Sequence, residues 1–410
     1  MSDEVSQPTI SHLYSRPVSN RDTTFIASDW REAVTDESVL LTYGYPYPDS
    51  FPYDELQDAL DILISTEPED ALQYGGATSA RKLDSIIADR LQYRGFSCSA
   101  ENVVVTNGAM NGIDLVCRTF LDPTDSVLLE APTFVWTLSV VRNHGVELIG
   151  IPVDDEGVDV SEMEQNLRER RRSSAPMPKL FYTIPNFQNP TGVTLSKNRR
   201  KYLLELAAEF DFVILEDDAY GELRYDGSDI EPLYLMDDTG RVIHIGSFSK
   251  LIGPGIRTGW VIADEAVIER ISALHTGGPN VLVKGMIAEY LDSGHLKKAI
   301  PNLRDAYRKR RDHVLDCLEK YMPADCTWTE PAGGFFVWVE LPEGIDAASM
   351  LSAAGREGIV YLPGEMFYPG STGGENCLRL SFSHVSLPDM DRAIQALATA
   401  TVQHQQQSTR

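Results

Sequence analysis

The sequence predicts an α/β protein, with a mostly parallel sheet in a large domain and a smaller α+β domain beside it. Three observations predict it. Short apolar runs alternate with helical periodicity from Tyr53 to about His275, the pattern of strands joined by crossover helices. After about Val281 the periodicity changes to long helices broken by two strand-like runs. A chain of 410 residues with 42% hydrophobic content is also long enough to bury a large core.

In chain order, residues 1–25 are polar and irregular and read as an arm. Ser28–Ala33 suggests a short helix and Val39–Tyr43 a short strand, before Gly44-Tyr-Pro-Tyr-Pro48 breaks the pattern. The strands of the alternating region are Val103–Thr106, Val127–Glu130, Val146–Val153, Leu180–Ile184, Phe212–Glu216, Val242–Gly246 and Arg257–Ala263. Helical periodicity fills most intervals, including Val160–Arg172 and a helix opening near Ser196. There follow a helix over Leu303–Tyr321, a strand-like Gly334–Leu341, a helix from Ala347, the run Cys377–Ser383 and a last helix from Leu387. These elements divide into a large domain, 51–285, and a small domain made of 26–50 with 286–402. Residues 403–410 form a polar tail, expected to fray.

Composition narrows the function. With 61 acidic against 36 basic residues the net charge is −25, which argues against a non-specific nucleic-acid or anionic-membrane surface. The one dense basic run, Arg168–Arg172, reads as a solvated helix end. An acidic surface poor in lysine is compatible with high salt. Five cysteines without Cys-x-x-Cys spacing indicate neither a disulfide framework nor a zinc site, so no metal is expected. The N-terminus lacks the blocks of a signal peptide and no run of 18 apolar residues is present, so a soluble, cytoplasmic protein is expected.

The chemistry centres on Ser247-Phe-Ser-Lys250 and the turn that leads to Arg257. The apolar run before it places Lys250 at a sheet rim, where neighbours can lower its pKa and make the amine nucleophilic. Ser247, Ser249 and Arg257 suit a phosphate held beside that amine, and a lysine beside a phosphate suggests pyridoxal phosphate. The Ser-x-x-Lys of serine hydrolases is a rival, but that motif opens a helix, whereas here it follows a strand and runs into Gly253-Pro-Gly255.

Other signals are individually ambiguous. Asn107-Gly-Ala-Met-Asn111 joins strand to helix, so the amides of Gly108 and Ala109 could cradle a phosphate, or the glycine could be steric only. Asn189 lies in an Asn-Pro turn that either caps a helix or offers a hydrogen bond to a cofactor. Three acids end the run Phe212–Tyr220, costly unless a cation answers them; a pyridinium nitrogen would, with Asp217 and Tyr220 as the residues concerned. Phe134 could stack on a flat ring or simply pack in the core. Arg379, in an apolar run, needs a carboxylate from the protein or from a substrate. Tyr43, Tyr45 and Tyr47 either pack their turn or line a pocket.

Together and in this order, Tyr74-Gly, Asn107-Gly-Ala, Asn189-Pro-Thr-Gly, Asp217-x-x-Tyr220, Ser247-x-Ser-Lys250, Arg257 and Asn376-x-x-Arg379 resemble the fold type I pyridoxal-phosphate aminotransferases of class I/II. The likeness is closest to the 2-aminoadipate and kynurenine branch and runs from about Ser28 to Ala400. It implies that Lys250 carries the cofactor as a Schiff base, Asp217 pairs with the pyridine nitrogen, and Asn189 with Tyr220 holds the ring oxygen. It also implies that Phe134 stacks on the ring and that Gly108, Ala109, Ser247, Ser249 and Arg257 bind the phosphate. Tyr74 would reach in from the other subunit of a homodimer, whose active site lies at the subunit interface. Arg379 would grip the substrate carboxylate, with Gly44 and Asn189 beside it.

The implied reaction moves an amino group between an L-amino acid and a 2-oxo acid. The tyrosines favour an aromatic or long apolar side chain, while Arg16, Arg21 or Arg31 could meet the second carboxylate of a 2-aminoadipate-like substrate. Two positions depart from the branch: Tyr43-Gly-Tyr-Pro46 replaces Gly-Gly-Leu-Pro, and Phe134 replaces a tyrosine. The alternative is a pyridoxal-phosphate decarboxylase, lyase, synthase or oxidase on the same scaffold.

Overall fold

The computed structural model describes residues 11–14, 33–35, 38–370 and 372–408. Its strands are β1 (Val39–Leu40), β2 (Val103–Thr106), β3 (Ser126–Ala131), β4 (Glu147–Asp154), β5 (Gly157–Val158), β6 (Leu180–Thr183) and β7 (Val213–Asp217). They continue with β8 (Val242–Ser247), β9 (Gly259–Ile262), β10 (Thr327–Trp328), β11 (Phe336–Glu340), β12 (Ile359–Val360), β13 (Leu362–Pro363) and β14 (Cys377–Ser381).

One sheet has the order β2-β9-β8-β7-β6-β3-β4-β5. From β8 to β4 all pairs are parallel. Their side chains alternate between two apolar clusters: Val127 and Leu129 face one, Leu128 the other, and Leu180 and Tyr182 oppose Phe181 in the same way. Helices cover both faces, Ala109–Phe120 and Val135–Arg142 on the first, Val160–Ser173 and Lys197–Phe210 on the second. Each fully buried leucine or phenylalanine contributes roughly 1.5–3 kcal/mol, so both faces must be covered for the sheet to persist. The helix expected near Ser196 begins there because the Ser196 hydroxyl accepts from the Arg199 amide.

The expected strand Arg257–Ala263 is shorter, Gly259–Ile262, and antiparallel to both neighbours. The link from Ser247 to Gly259 is too short for a crossover helix, so the chain must turn back. Arg257 itself lies outside the strand, at φ 47.

A second, antiparallel sheet has the order β10-β11-β14-β13, and β1 pairs in parallel with β12. Leu41 donates to the Val360 carbonyl and accepts from the Ser381 amide, both at 2.9 Å, which anchors the start of the Thr42–Pro46 loop. Of the strand expected over Val39–Tyr43 only Val39–Leu40 forms, and residues 28–32 of the expected helix Ser28–Ala33 lie outside the described residues. The helix expected from Leu303 begins at His295 and passes through Pro301, held on either side by buried Leu296 and Leu303. The C-terminal helix runs to Ser408, past the point where fraying is expected, with Gln403 donating to Glu357 and Gln405 to Asp325. The Arg168–Arg172 run pairs locally, Arg168 with Glu164, Arg170 with Glu147 and Arg171 with Glu209. No helix among the described residues is long and apolar enough to cross a membrane.

Candidate active site

The C-terminal ends of β3, β6, β7 and β8, which point the same way, open into one cavity of about 280 Å³. Ligands collect at such ends because the loops diverge there. The Thr42–Tyr45 loop and Arg379 of β14 close it from the second sheet.

Lys250 follows β8 and its Nζ donates to the Gly44 carbonyl at 2.8 Å. Burial, then the charge of Arg379, brings its pKa down to about 8, with Asp217 opposing. A Cβ on Gly44 would stand 2.6 Å from the Phe336 ring, so this close approach of backbone to lysine requires glycine.

Asp217 ends β7 and is 5% exposed. Its Oδ2 accepts from the Tyr182 hydroxyl at 2.8 Å, while Oδ1, equally buried, has no partner. Burial raises its pKa to about 6, the Tyr182 hydrogen bond opposing. A buried carboxylate oxygen left unpaired costs a few kcal/mol, roughly 1–3, unless a donor arrives to meet it. Tyr220 packs edge-on against Phe335 and Phe336, and burial raises its hydroxyl pKa well above the ordinary value.

Arg379 is 3% exposed and lies over the rings of Phe336 and Phe367, 4.2 and 4.9 Å away. It donates through Nη1 to Asn189 Oδ1 at 2.7 Å and through Nη2 to the Thr42 carbonyl, leaving Nε buried and unpartnered. No protein carboxylate faces it among the described ion pairs, and burial pulls its pKa down to about 9. Of the two partners open to it in the sequence, the protein supplies neutral oxygens rather than a salt bridge.

At the other end, the Ser247 hydroxyl donates to the Ser249 hydroxyl at 2.9 Å, and the Ser249 amide donates back to Ser247 at 3.1 Å. Gly108, at φ 80, begins the Ala109–Phe120 helix without a side-chain cap. Arg257 Nη2 donates to the Asn107 carbonyl at 3.3 Å and would stand 2.8 Å from a Cβ on Gly108. The helix N-terminus, two serines and a guanidinium thus converge as an anion cradle. One detail differs from expectation. The Gly108 amide already donates to the Thr106 carbonyl at 2.8 Å, so the tight turn itself engages it.

Of the expected residues, Gly44, Ala109, Phe134, Asn189, Asp217, Tyr220, Ser247, Ser249, Lys250, Arg257 and Arg379 line the cavity, and Gly108 stands behind Arg257. Tyr74 does not; it is 99% exposed. Tyr43 and Tyr45 line it, stacked at 4.5 Å between centroids and 1° between planes, whereas Tyr47 packs under Arg310. Arg16, Arg21 and Arg31 lie outside the described residues.

The class I and II aminotransferase family model matches residues 43–397. The chain belongs to this family. A similar relative is aromatic-amino-acid aminotransferase 1 of Thermococcus litoralis, 36% identical over 97% of this chain and 96% of its own. Among solved structures, a kynurenine aminotransferase of Pyrococcus horikoshii in complex with PMP superposes with TM-score 0.91 at 36% identity, covering 96% of this chain and 98% of the other. An α-aminoadipate aminotransferase of Thermus thermophilus, complexed with N-(5'-phosphopyridoxyl)-L-leucine, gives 0.86 at 28%, over 98% and 100%. This aminotransferase therefore has the fold of type I pyridoxal-phosphate enzymes and uses that cofactor, and its site fits it. The unpaired Asp217 oxygen suits a protonated ring nitrogen, the cradle of Ser247, Ser249, Arg257 and a helix N-terminus suits a phosphate, and Lys250 lines the same cavity.

Sequence reasoning missed several residues of the aminotransferase site. Tyr182 reads as a buried strand residue; its hydroxyl in an otherwise apolar run was the signal that it needed a partner. Met110, Trp136, Leu362 and Met366 carry no motif, and only the fold brings them to the wall.

Proposed function

We propose that this enzyme transaminates aromatic L-amino acids with a 2-oxo acid acceptor, the donor lying between Lys250, Arg379 and the stacked pair Tyr43 and Tyr45. That stacked pair is the observation that carries the reading of the donor. Together with Trp136 and Leu362 it gives the cavity an aromatic and apolar lining beside Phe134. The cations lining the described cavity are Lys250, Arg257 and Arg379, and each already has a task at the cofactor or the α-carboxylate. Aromatic donors are favoured over 2-aminoadipate for that reason.

Asp217 Oδ1 holds the protonated pyridine nitrogen, Asn189 and Tyr220 the ring oxygen, and Phe134 one ring face. Ala109, Ser247, Ser249 and Arg257 hold the phosphate, with Gly108 shaping the cradle. When bound, the cofactor supplies an electron-withdrawing ring that acidifies the substrate α-carbon. Arg379 exchanges the Thr42 carbonyl for the substrate carboxylate and so fixes the α-carbon over Lys250. Lys250 Nζ takes the α-proton; its lowered pKa keeps a useful fraction neutral near pH 8.

A homodimer completes the site. Tyr74, Leu72, Tyr53 and Tyr93 are all exposed, at 65% or more, and a second copy packed over Tyr74 would deliver it to the phosphate. We place the enzyme in the cytoplasm, a reading supported by five buried cysteines without disulfides, and divide it into a large domain, 51–285, and a small domain of 26–50 with 286–402. A donor panel tests the substrate reading: kcat/KM for phenylalanine, tyrosine and tryptophan should exceed that for 2-aminoadipate. A preference for 2-aminoadipate would overturn it.

A further inference from the structure

Away from the cavity, one cluster of metal-ligating side chains stands out among the described residues: His313, Cys317 and Asp391, whose ligand atoms all lie within 4.8 Å of one another. His313 and Cys317 are one turn apart on the helix His295–Tyr321, so they share a face, and Asp391 meets them from the C-terminal helix Leu387–Ser408. Neither helix lines the active-site cavity. We propose that this cluster binds a zinc-like divalent cation that clips the two helices together.

The distances to sulfur fit tetrahedral coordination. Bonds of about 2.3 Å to sulfur and about 2.0–2.1 Å to nitrogen or oxygen put sulfur about 3.5 Å from its fellow ligands. Cys317 Sγ is 3.6 Å from His313 Nε2 and 3.7 Å from Asp391 Oδ2. A fourth oxygen is at hand: the Leu387 carbonyl is 3.0 Å from His313 Nε2, against about 3.3 Å for two such ligands around one ion.

The surroundings aim the ligands. Gln395 Nε2 and the Tyr321 hydroxyl donate to Asp391 Oδ1, at 2.5 and 3.1 Å. These hold the carboxylate with Oδ2 near the sulfur, the Tyr321 hydroxyl also reaching Oδ2 at 3.4 Å, the outer support that metal-binding carboxylates commonly have. Cys317 is 3% exposed, while His313 and Asp391 are half-buried, so an ion has a way in and few waters to retain.

The donor set chooses the ion. One thiolate, one imidazole and one carboxylate suit zinc rather than calcium or magnesium, which want oxygen alone. Binding releases the thiol proton to solvent and takes the imidazole as the tautomer protonated on Nδ1. The thiolate and carboxylate then balance the charge of the dication.

The test uses the full-length, cofactor-loaded protein, stripped with a chelator, loaded with zinc and dialysed. Metal analysis should find one zinc per chain in wild type. In Cys317→Ser and His313→Gln the affinity should fall by roughly 100-fold or more, beyond the 10–100-fold typical of lost outer partners. Cobalt should give the intense visible bands of a tetrahedral thiolate site in wild type and lose them in Cys317→Ser. Zinc should raise the thermal midpoint of wild type but of neither variant. Transamination should be unchanged in His313→Gln, which keeps that variant informative if Cys317→Ser folds poorly. No stoichiometric zinc in wild type, or wild-type affinity in either variant, would overturn the proposal and leave a thiol–carboxylate hydrogen bond between two helices.

Discussion

Burial first, then the neighbouring charges of Arg379 and Arg257, pushes the proton off Lys250, with Asp217 opposing. The amine that reacts with the cofactor aldehyde must be neutral. In cofactor-free protein, capture of pyridoxal phosphate should therefore quicken about tenfold per pH unit up to about pH 8 and level off above it, as stopped-flow absorbance would record. An exposed lysine would keep gaining to about pH 10. Continued acceleration there would show that Lys250 is not perturbed. The lysine, its serines and its arginine were legible because they lie in one short stretch, Ser247 to Arg257. The partner of Lys250, the Gly44 carbonyl, comes from 206 residues away, and no local pattern announces it.

At the scale of elements, the strand ends do the positioning. At φ 80, Gly108 is where β2 turns into its helix, and Arg257 leaves no room for a Cβ. Gly108→Ala should weaken cofactor binding by about tenfold or more, since the positive-φ penalty of roughly 1–3 kcal/mol adds to the displacement of Arg257. A spectral titration measures it; unchanged affinity would mean the cradle tolerates the methyl. A second element-level device joins β3 to β6. Glu130, 1% exposed, accepts from Thr183 Oγ1, the Ile184 amide and Gln188 Nε2, yet burial still lifts its pKa to about 7. With the folded pKa above the unfolded one, the native state holds the extra proton between about pH 4.5 and 7, so stability falls as pH rises through that window. Urea unfolding of the cofactor-free protein should show wild type losing roughly 3 kcal/mol relative to Glu130→Gln between about pH 4.5 and 8. A pH-independent difference would rule the buried charge out. The parallel strands β3, β4, β6, β7 and β8 were readable within a residue or two, because they are short apolar runs bounded by turns, whereas the two-residue strands β5, β10, β12 and β13 are too short to leave a pattern. The reversal of β9 was not: apolar content gives no direction, and only the short link after Ser247 sets it.

For the whole molecule, the two sheets contribute opposite walls of one cavity, and the proposed second copy would cover the exposed Tyr74. Sedimentation should give twice the chain mass of 45.6 kDa, and Tyr74→Ala should weaken cofactor affinity by about tenfold while leaving the fold intact. A fully active monomer would remove the need for the second copy. Class and family were legible because the motifs recur in order along nearly the entire chain. The donor was not, because Met110, Trp136, Leu362 and Met366 come from separate elements that only folding brings together.

Transamination at the site between Lys250, Asp217 and Arg379 is what the other conclusions depend on. The visible spectrum of the loaded enzyme, mixed with one aromatic L-amino acid and no oxo acid, tests it with the fewest assumptions. The absorption of the lysine-bound cofactor should give way to that of its amine form, with one equivalent of 2-oxo acid released per site and reversal on adding a second oxo acid. An unchanged spectrum, or release of carbon dioxide, ammonia or peroxide in place of the oxo acid, would contradict it.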